Sequence, residues 1–71
     1  MHKRTKIIAT IGPSSKSPEM IYQLYQKGMN VVRVNMSHAS LNDLRDISSI
    51  VTKLNKKITS SVGLMIDTQG P

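Results

Sequence analysis

The sequence predicts an α/β fold, β-α-β-α-β around a parallel sheet, and three observations carry that reading. Three short apolar runs, at residues 6–11, 31–36 and 62–66, are rich in Val and Ile and read as strands. The two segments between them repeat apolar residues at steps of three and four, the period of a helix packed along one side. Each apolar run also ends in a polar, oxygen-bearing cluster, at residues 10–14, 33–38 and 67–70. Strands alternating with helices pair in parallel through right-handed crossovers. Two architectures satisfy this order: a doubly wound open sheet, and the opening of a (β/α)8 barrel. Both build their sites at the carboxyl ends of strands, where all three clusters fall.

The first strand closes at Gly12-Pro13. Ser17 then suits an N-cap, Pro18 the first helical position, and Glu19 the positive end of the helix dipole. Ile21, Leu24 and Tyr25 form the apolar stripe of this helix, and Gly28 is its natural stop. In the second strand, alternation sends Val32, Val34 and Met36 to one face and Arg33, Asn35 and Ser37 to the other. A guanidinium, an amide and a hydroxyl therefore line a face expected to be buried, where polar groups are costly unless satisfied. A bound anion and a bound cation would satisfy them, which makes this run the leading candidate site.

Ser40 opens the second helix, with Asp43 three places on in a capping-box arrangement. Leu44, Ile47, Ile50, Val51 and Leu54 make its buried stripe, and Asn55-Lys56-Lys57 closes it where positive charge suits the dipole. Thr59-Ser60-Ser61 is a loop before the third strand. The last residues, Ile66-Asp67-Thr68-Gln69-Gly70-Pro71, run into a turn signal, as though the chain were cut where a loop begins. That ending predicts a fragment.

Composition narrows the function classes. At 71 residues the chain makes at most one small domain, and it has no cysteine, so disulfides and thiolate metal sites are excluded. No apolar run approaches the roughly 18 residues of a membrane span, and the basic start meets Gly12-Pro13 too soon for a secretory signal. Ten Lys and Arg against four Asp and Glu give a formal charge of +6. With only two aromatic residues, both Tyr, there is no basic-aromatic interleaving to stack bases, and the charge reads as solvated termini and loops. No nucleic acid and no membrane is expected as a partner.

The chemistry rests on few residues. Arg33 carries a planar fork matched to phosphate or carboxylate; its alternative role is an ion pair with Asp67 at a neighbouring strand end. Asn35, Ser37, Asp67 and Thr68 offer hard oxygen donors with a single carboxylate, suited to a weakly held cation of low charge. They serve equally as a strand-end hydrogen-bond network with Ser37 or Thr68 capping a turn. His38, ahead of a helix, reads as a surface or capping residue before an acid, a base or a phosphate contact. Neither G-x-x-x-x-G-K-[ST] nor G-x-G-x-x-G occurs, so phosphate recognition falls to Arg33 and backbone amides.

Three stretches taken together resemble the opening of pyruvate kinase: Thr5-Lys6-Ile7-Ile8-Ala9-Thr10-Ile11-Gly12-Pro13-Ser14-Ser15, Gly28-Met29-Asn30-Val31-Val32-Arg33-Val34-Asn35-Met36-Ser37-His38, and Asp67-Thr68-Gln69-Gly70-Pro71. The resemblance covers almost the whole chain, but only the N-terminal part of that family's barrel domain. It implies the first three strands and two helices of a (β/α)8 TIM barrel, and transfer of a phosphoryl group from phosphoenolpyruvate to ADP, giving pyruvate and ATP in the cytoplasm. By position, Arg33 would bind the substrate phosphate. Asn35, Ser37 and Asp67 would ligate potassium through side chains and Thr68 through its carbonyl, while Asn35, Met36, Ser37 and His38 would lie along the nucleotide phosphates.

The resemblance further implies Mg2+ or Mn2+ and a homotetramer for the full-length protein. It puts the divalent-metal ligands, the enolate-stabilising lysine, the lid domain and the C-terminal domain beyond Pro71. Gln69 departs from the lysine common at that place. These residues alone are therefore expected to be inactive. The alternative is a truncated, non-enzymatic product, or a fragment that acts only by complementing another chain.

Overall fold

The computed structural model describes residues 6–68, in the order β1 (Ile8–Ile11), α1 (Pro18–Gln26), β2 (Val31–Asn35), α2 (Leu41–Asn55) and β3 (Gly63–Asp67). The elements are those the patterning predicts, with ends moved by a residue or two. β1 begins at Ile8 rather than Lys6, β2 stops at Asn35 rather than Met36, and β3 is displaced one residue toward Asp67.

All three strands run parallel in the order β1-β2-β3. The register sets Thr10 beside Arg33, Arg33 beside Met65, and Asn35 beside Asp67. Asn30 pins this register at the entry to β2. Its side-chain oxygen accepts the Ile7 N–H at 2.8 Å, and its carbonyl accepts the Gly63 N–H at 2.9 Å. One residue thus grips the chain leading into both outer strands.

On one face of the sheet Ile11, Val32 and Val34 are sealed from solvent. They join Ile21 of α1 with Ile47, Val51 and Leu54 of α2 in a single core. Both helices therefore cover the same face, and the strand order never reverses. A doubly wound sheet carries helices on both faces and reverses its order at a switch point. Neither feature occurs among the described residues, an arrangement shared by a barrel's first turns and by the first half of a doubly wound sheet.

Helix ends follow the local chemistry. The Ser17 hydroxyl oxygen accepts the Met20 N–H at 3.1 Å, with Pro18 starting α1. At the other end the Gly28 N–H donates to the Tyr25 carbonyl at 2.9 Å and the Met29 N–H to the Leu24 carbonyl at 3.0 Å. This is a Schellman closure, and it needs the φ of +110° that Gly28 adopts. Ser40 and Asp43 complete the expected capping box on α2.

The second face is bare, and here the sequence expectation needs correction. Arg33, Asn35 and Ser37 do not share a buried row. Ile8 and Met65 on that face are 48% and 43% exposed, and Arg33 and Asn35 are only half-buried, because no layer of the described residues covers them. Since β2 ends at Asn35, Ser37 leaves the strand for an exposed turn.

Candidate functional site

The carboxyl ends of β2 and β3 bring most of the expected residues together. Asn35 and Asp67, the last residues of their strands, are register partners, and the Met36 N–H extends the ladder by donating to the Asp67 carbonyl at 2.9 Å. One step back along β2, the Arg33 guanidinium donates from Nη2 to Asp67 Oδ2. The ion pair weighed from sequence as an alternative role for Arg33 is therefore formed. Both side chains remain more than a third exposed, at 36% and 42%, so the pair faces open solvent.

Beyond β2 the chain turns tightly. Asn35 Oδ1 accepts the Ser37 N–H at 2.9 Å, and the Asn35 carbonyl accepts the N–H groups of His38 at 3.0 Å and Ala39 at 3.1 Å. Asn35 thus builds the turn that presents Ser37 and His38, both exposed, while Met36 is half-buried against the core. Thr68 follows β3 directly and is exposed. Gln69, Gly70 and Pro71 lie outside the described residues.

The donor set can be tested for the cations the motifs imply. Asn35, Ser37, Asp67 and Thr68 offer only oxygen, with one carboxylate already facing a guanidinium. That chemistry fits a monovalent cation. Among the described residues no group of three or more His, Cys, Asp or Glu lies together to hold a metal ion. Nor is any described helix long and apolar enough to cross a membrane.

Two arrangements here escaped the sequence reading. Lys16, in the loop after β1, reaches α2: its Nζ lies 2.8 Å from Asp43 Oδ1 and 2.5 Å from Asp46 Oδ2. Hydrogen bonding to Lys16, helped by the Ser40 amide, lowers the Asp43 carboxyl to a pKa of about 2, and the same contacts raise Lys16. Asn55 at the end of α2 clamps the approach to β3, accepting the Val62 N–H at 2.7 Å and donating to the Val62 carbonyl at 3.0 Å. The first link spans 27 to 30 positions and the second seven, and no local pattern announces either. The spacing of Asp43 and Asp46 marks one α2 face as acidic but does not name its partner.

A family model described as the barrel domain of pyruvate kinase matches residues 2–71. The pyruvate kinase of Thermoplasma acidophilum is 44% identical over 68 residues, covering 96% of this chain and 12% of that protein. That of Staphylococcus epidermidis is 42% identical over 69 residues, covering 97% of this chain and 12% of its own length. For the pyruvate kinase of Methylorubrum extorquens the identity is 39% over 69 residues, 97% of this chain and 14% of that one. The chain spans about an eighth of the length of the curated relatives it matches. A family model that takes in almost every residue, on a parallel sheet wound as that domain requires, shows that the chain belongs to the pyruvate kinase family.

Proposed function

We propose that this chain opens the (β/α)8 barrel of a phosphotransferase that converts phosphoenolpyruvate and ADP to pyruvate and ATP. The observation that carries the reading is the convergence of Arg33, Asn35 and Asp67 at the carboxyl ends of adjacent parallel strands. Folds of this winding bind their ligands there.

Arg33 binds the substrate phosphate. A guanidinium has five N–H donors. The bond to Asp67 uses part of that capacity and holds the fork in place, leaving other donors for phosphate oxygens. Asn35, Ser37 and Asp67 hold potassium through side-chain oxygens and Thr68 through its carbonyl; when bound, the ion supplies positive charge beside anionic phosphates. Asn35, Met36, Ser37 and His38 run along the nucleotide phosphates. Phosphoryl transfer depends mainly on positioning and charge neutralisation, which these groups supply. Family membership also supports Mg2+ or Mn2+, a cytoplasmic location and a homotetramer for the complete enzyme.

The test uses this chain joined to the remainder of such a barrel. Arg33→Ala is expected to lower kcat/KM for phosphoenolpyruvate roughly 10- to 100-fold, the scale of a lost charge-assisted hydrogen bond. The KM for ADP should change little, and near-normal kinetics would reject the role of Arg33. The bare sheet face favours a second reading, a piece that works only by completing a barrel supplied by another chain. Recovery of activity on mixing it with the missing segment separates the two.

A further inference from the structure

We infer that Lys16 is a positioning residue, holding the turn that carries Ser37 and His38 against the neighbouring loop after β1; this rests on the reading of the site above. The turn has two anchors of its own. On the strand side Asn35 takes the N–H groups of Ser37, His38 and Ala39. On the helix side the Asp43 carboxylate accepts from the Ser40 N–H at 2.9 Å and from the Ser40 hydroxyl at 3.0 Å, both through Oδ2. Neither anchor fixes where the turn stands relative to the loop at residues 12–17, which lies at the same end of the sheet.

Lys16 supplies that link. Its ammonium sits on Asp43 Oδ1, the oxygen left over by the cap, and on Asp46 one helical turn further along. With one carboxylate oxygen on Lys16 and the other on Ser40, the Asp43 rotamer is held from both sides. The loop itself is stiffened where Lys16 leaves it. The Ser15 N–H donates to the Gly12 carbonyl at 3.1 Å, the Gly12 N–H to the Ser15 hydroxyl at 3.0 Å, and the Ser17 N–H to the Ser15 carbonyl at 3.1 Å. The linkage thus runs from the end of β1, through Lys16 and Asp43, to Ser40 at the foot of the turn.

Selectivity follows from the sheet. Arg33 lies within β2 and is paired by register on both sides, so its place does not depend on Lys16. Ser37 and His38 stand on the turn, so theirs does. Loss of Lys16 should therefore weaken ADP and potassium use while sparing phosphoenolpyruvate. A merely structural ion pair would move all three together with stability.

The experiment places Lys16→Met and Lys16→Arg in the complete enzyme that carries this chain. Lys16→Met is expected to raise the KM for ADP and the potassium concentration for half-activation about three- to fivefold, the scale of one exposed ion pair. Calorimetric titration of ADP should show the same weakening without turnover, and the rise in melting temperature on adding potassium should need more of the salt. The KM for phosphoenolpyruvate should stay unchanged although the lost ion pair lowers the melting temperature slightly, and Lys16→Arg should restore the rest. Asp43→Asn keeps an oxygen for Ser40 but drops the charge, and should reproduce Lys16→Met. Unchanged ADP and potassium dependence, or an equal loss for all ligands together with stability, would overturn the inference. Failure of the site reading itself shows separately, as an Arg33→Ala enzyme with intact phosphoenolpyruvate use.

Discussion

Arg33 and Asp67 meet across adjacent strands with both side chains partly in water. Pairs of this kind contribute about 0–1 kcal/mol to stability. The contact ties one nitrogen of the guanidinium to the end of β3. Asp43 makes a sharper case for a single carboxylate acting on the fold. Its pKa in the folded chain is about 2 against an ordinary 3.8, because Lys16 and the Ser40 amide favour the ionised form. A depressed carboxyl stabilises the fold above its unfolded pKa, and that contribution is lost as pH falls toward the folded value. In the complete protein, the stability difference between the parent and Asp43→Asn should therefore be constant above about pH 5 and shrink between about pH 4 and 2. Denaturant midpoints across that range measure it, and a pH-independent difference would contradict the assignment.

At the level of elements, the ends of the helices decide where the strands begin. The Schellman closure of α1 turns the chain into β2, and Met29, just after Gly28, is buried in the core. A Cβ on Gly28 would meet two penalties, a positive φ and an approach of 3.1 Å to Ile7 Cδ1. Gly28→Ala is expected to cost about 1–3 kcal/mol, the usual range for a non-glycine residue held in a sparsely populated conformation. Chemical denaturation of the complete protein would read it, and an unchanged midpoint would mean that the turn relaxes into another form. Asn55 plays the corresponding part for α2, adding a side-chain clamp on Val62 to the backbone bond from the Lys57 N–H to the Leu54 carbonyl. Both devices set strand register from outside the sheet.

For the whole molecule, the bare face governs behaviour. α1 and α2 seal one side of the sheet, whereas Ile8 and Met65 on the other meet solvent, and the outer sides of β1 and β3 have no strand partner among the described residues. Ile66, on the helix side of β3, is also 48% exposed. Open edges beside exposed apolar side chains template association. The 71-residue chain on its own is expected to be poorly soluble or partly molten, to bind a hydrophobic dye and to show collapsed amide NMR dispersion. It should not convert phosphoenolpyruvate and ADP. Sharp, dispersed signals from a monomer would overturn the first expectation, and measurable turnover the second.

The sequence by itself determined the elements and their order, because those depend on local chemistry: β-branched runs, helical spacing, Ser17-Pro18 and Ser40 with Asp43 as starts, and Gly28 as a stop. It also located the candidate site, since strand ends carry sites in any parallel α/β sheet, and its motifs pointed to the family. Tertiary structure alone decided the rest. The β1-β2-β3 order and the placing of both helices on one face depend on strand pairing and crossover geometry that no residue pattern spells out. The pairing of Arg33 with Asp67 depends on strand register, and that of Lys16 with Asp43 on loop packing. Each joins residues more than 25 positions apart, through contacts that exist only after the chain has folded back on itself.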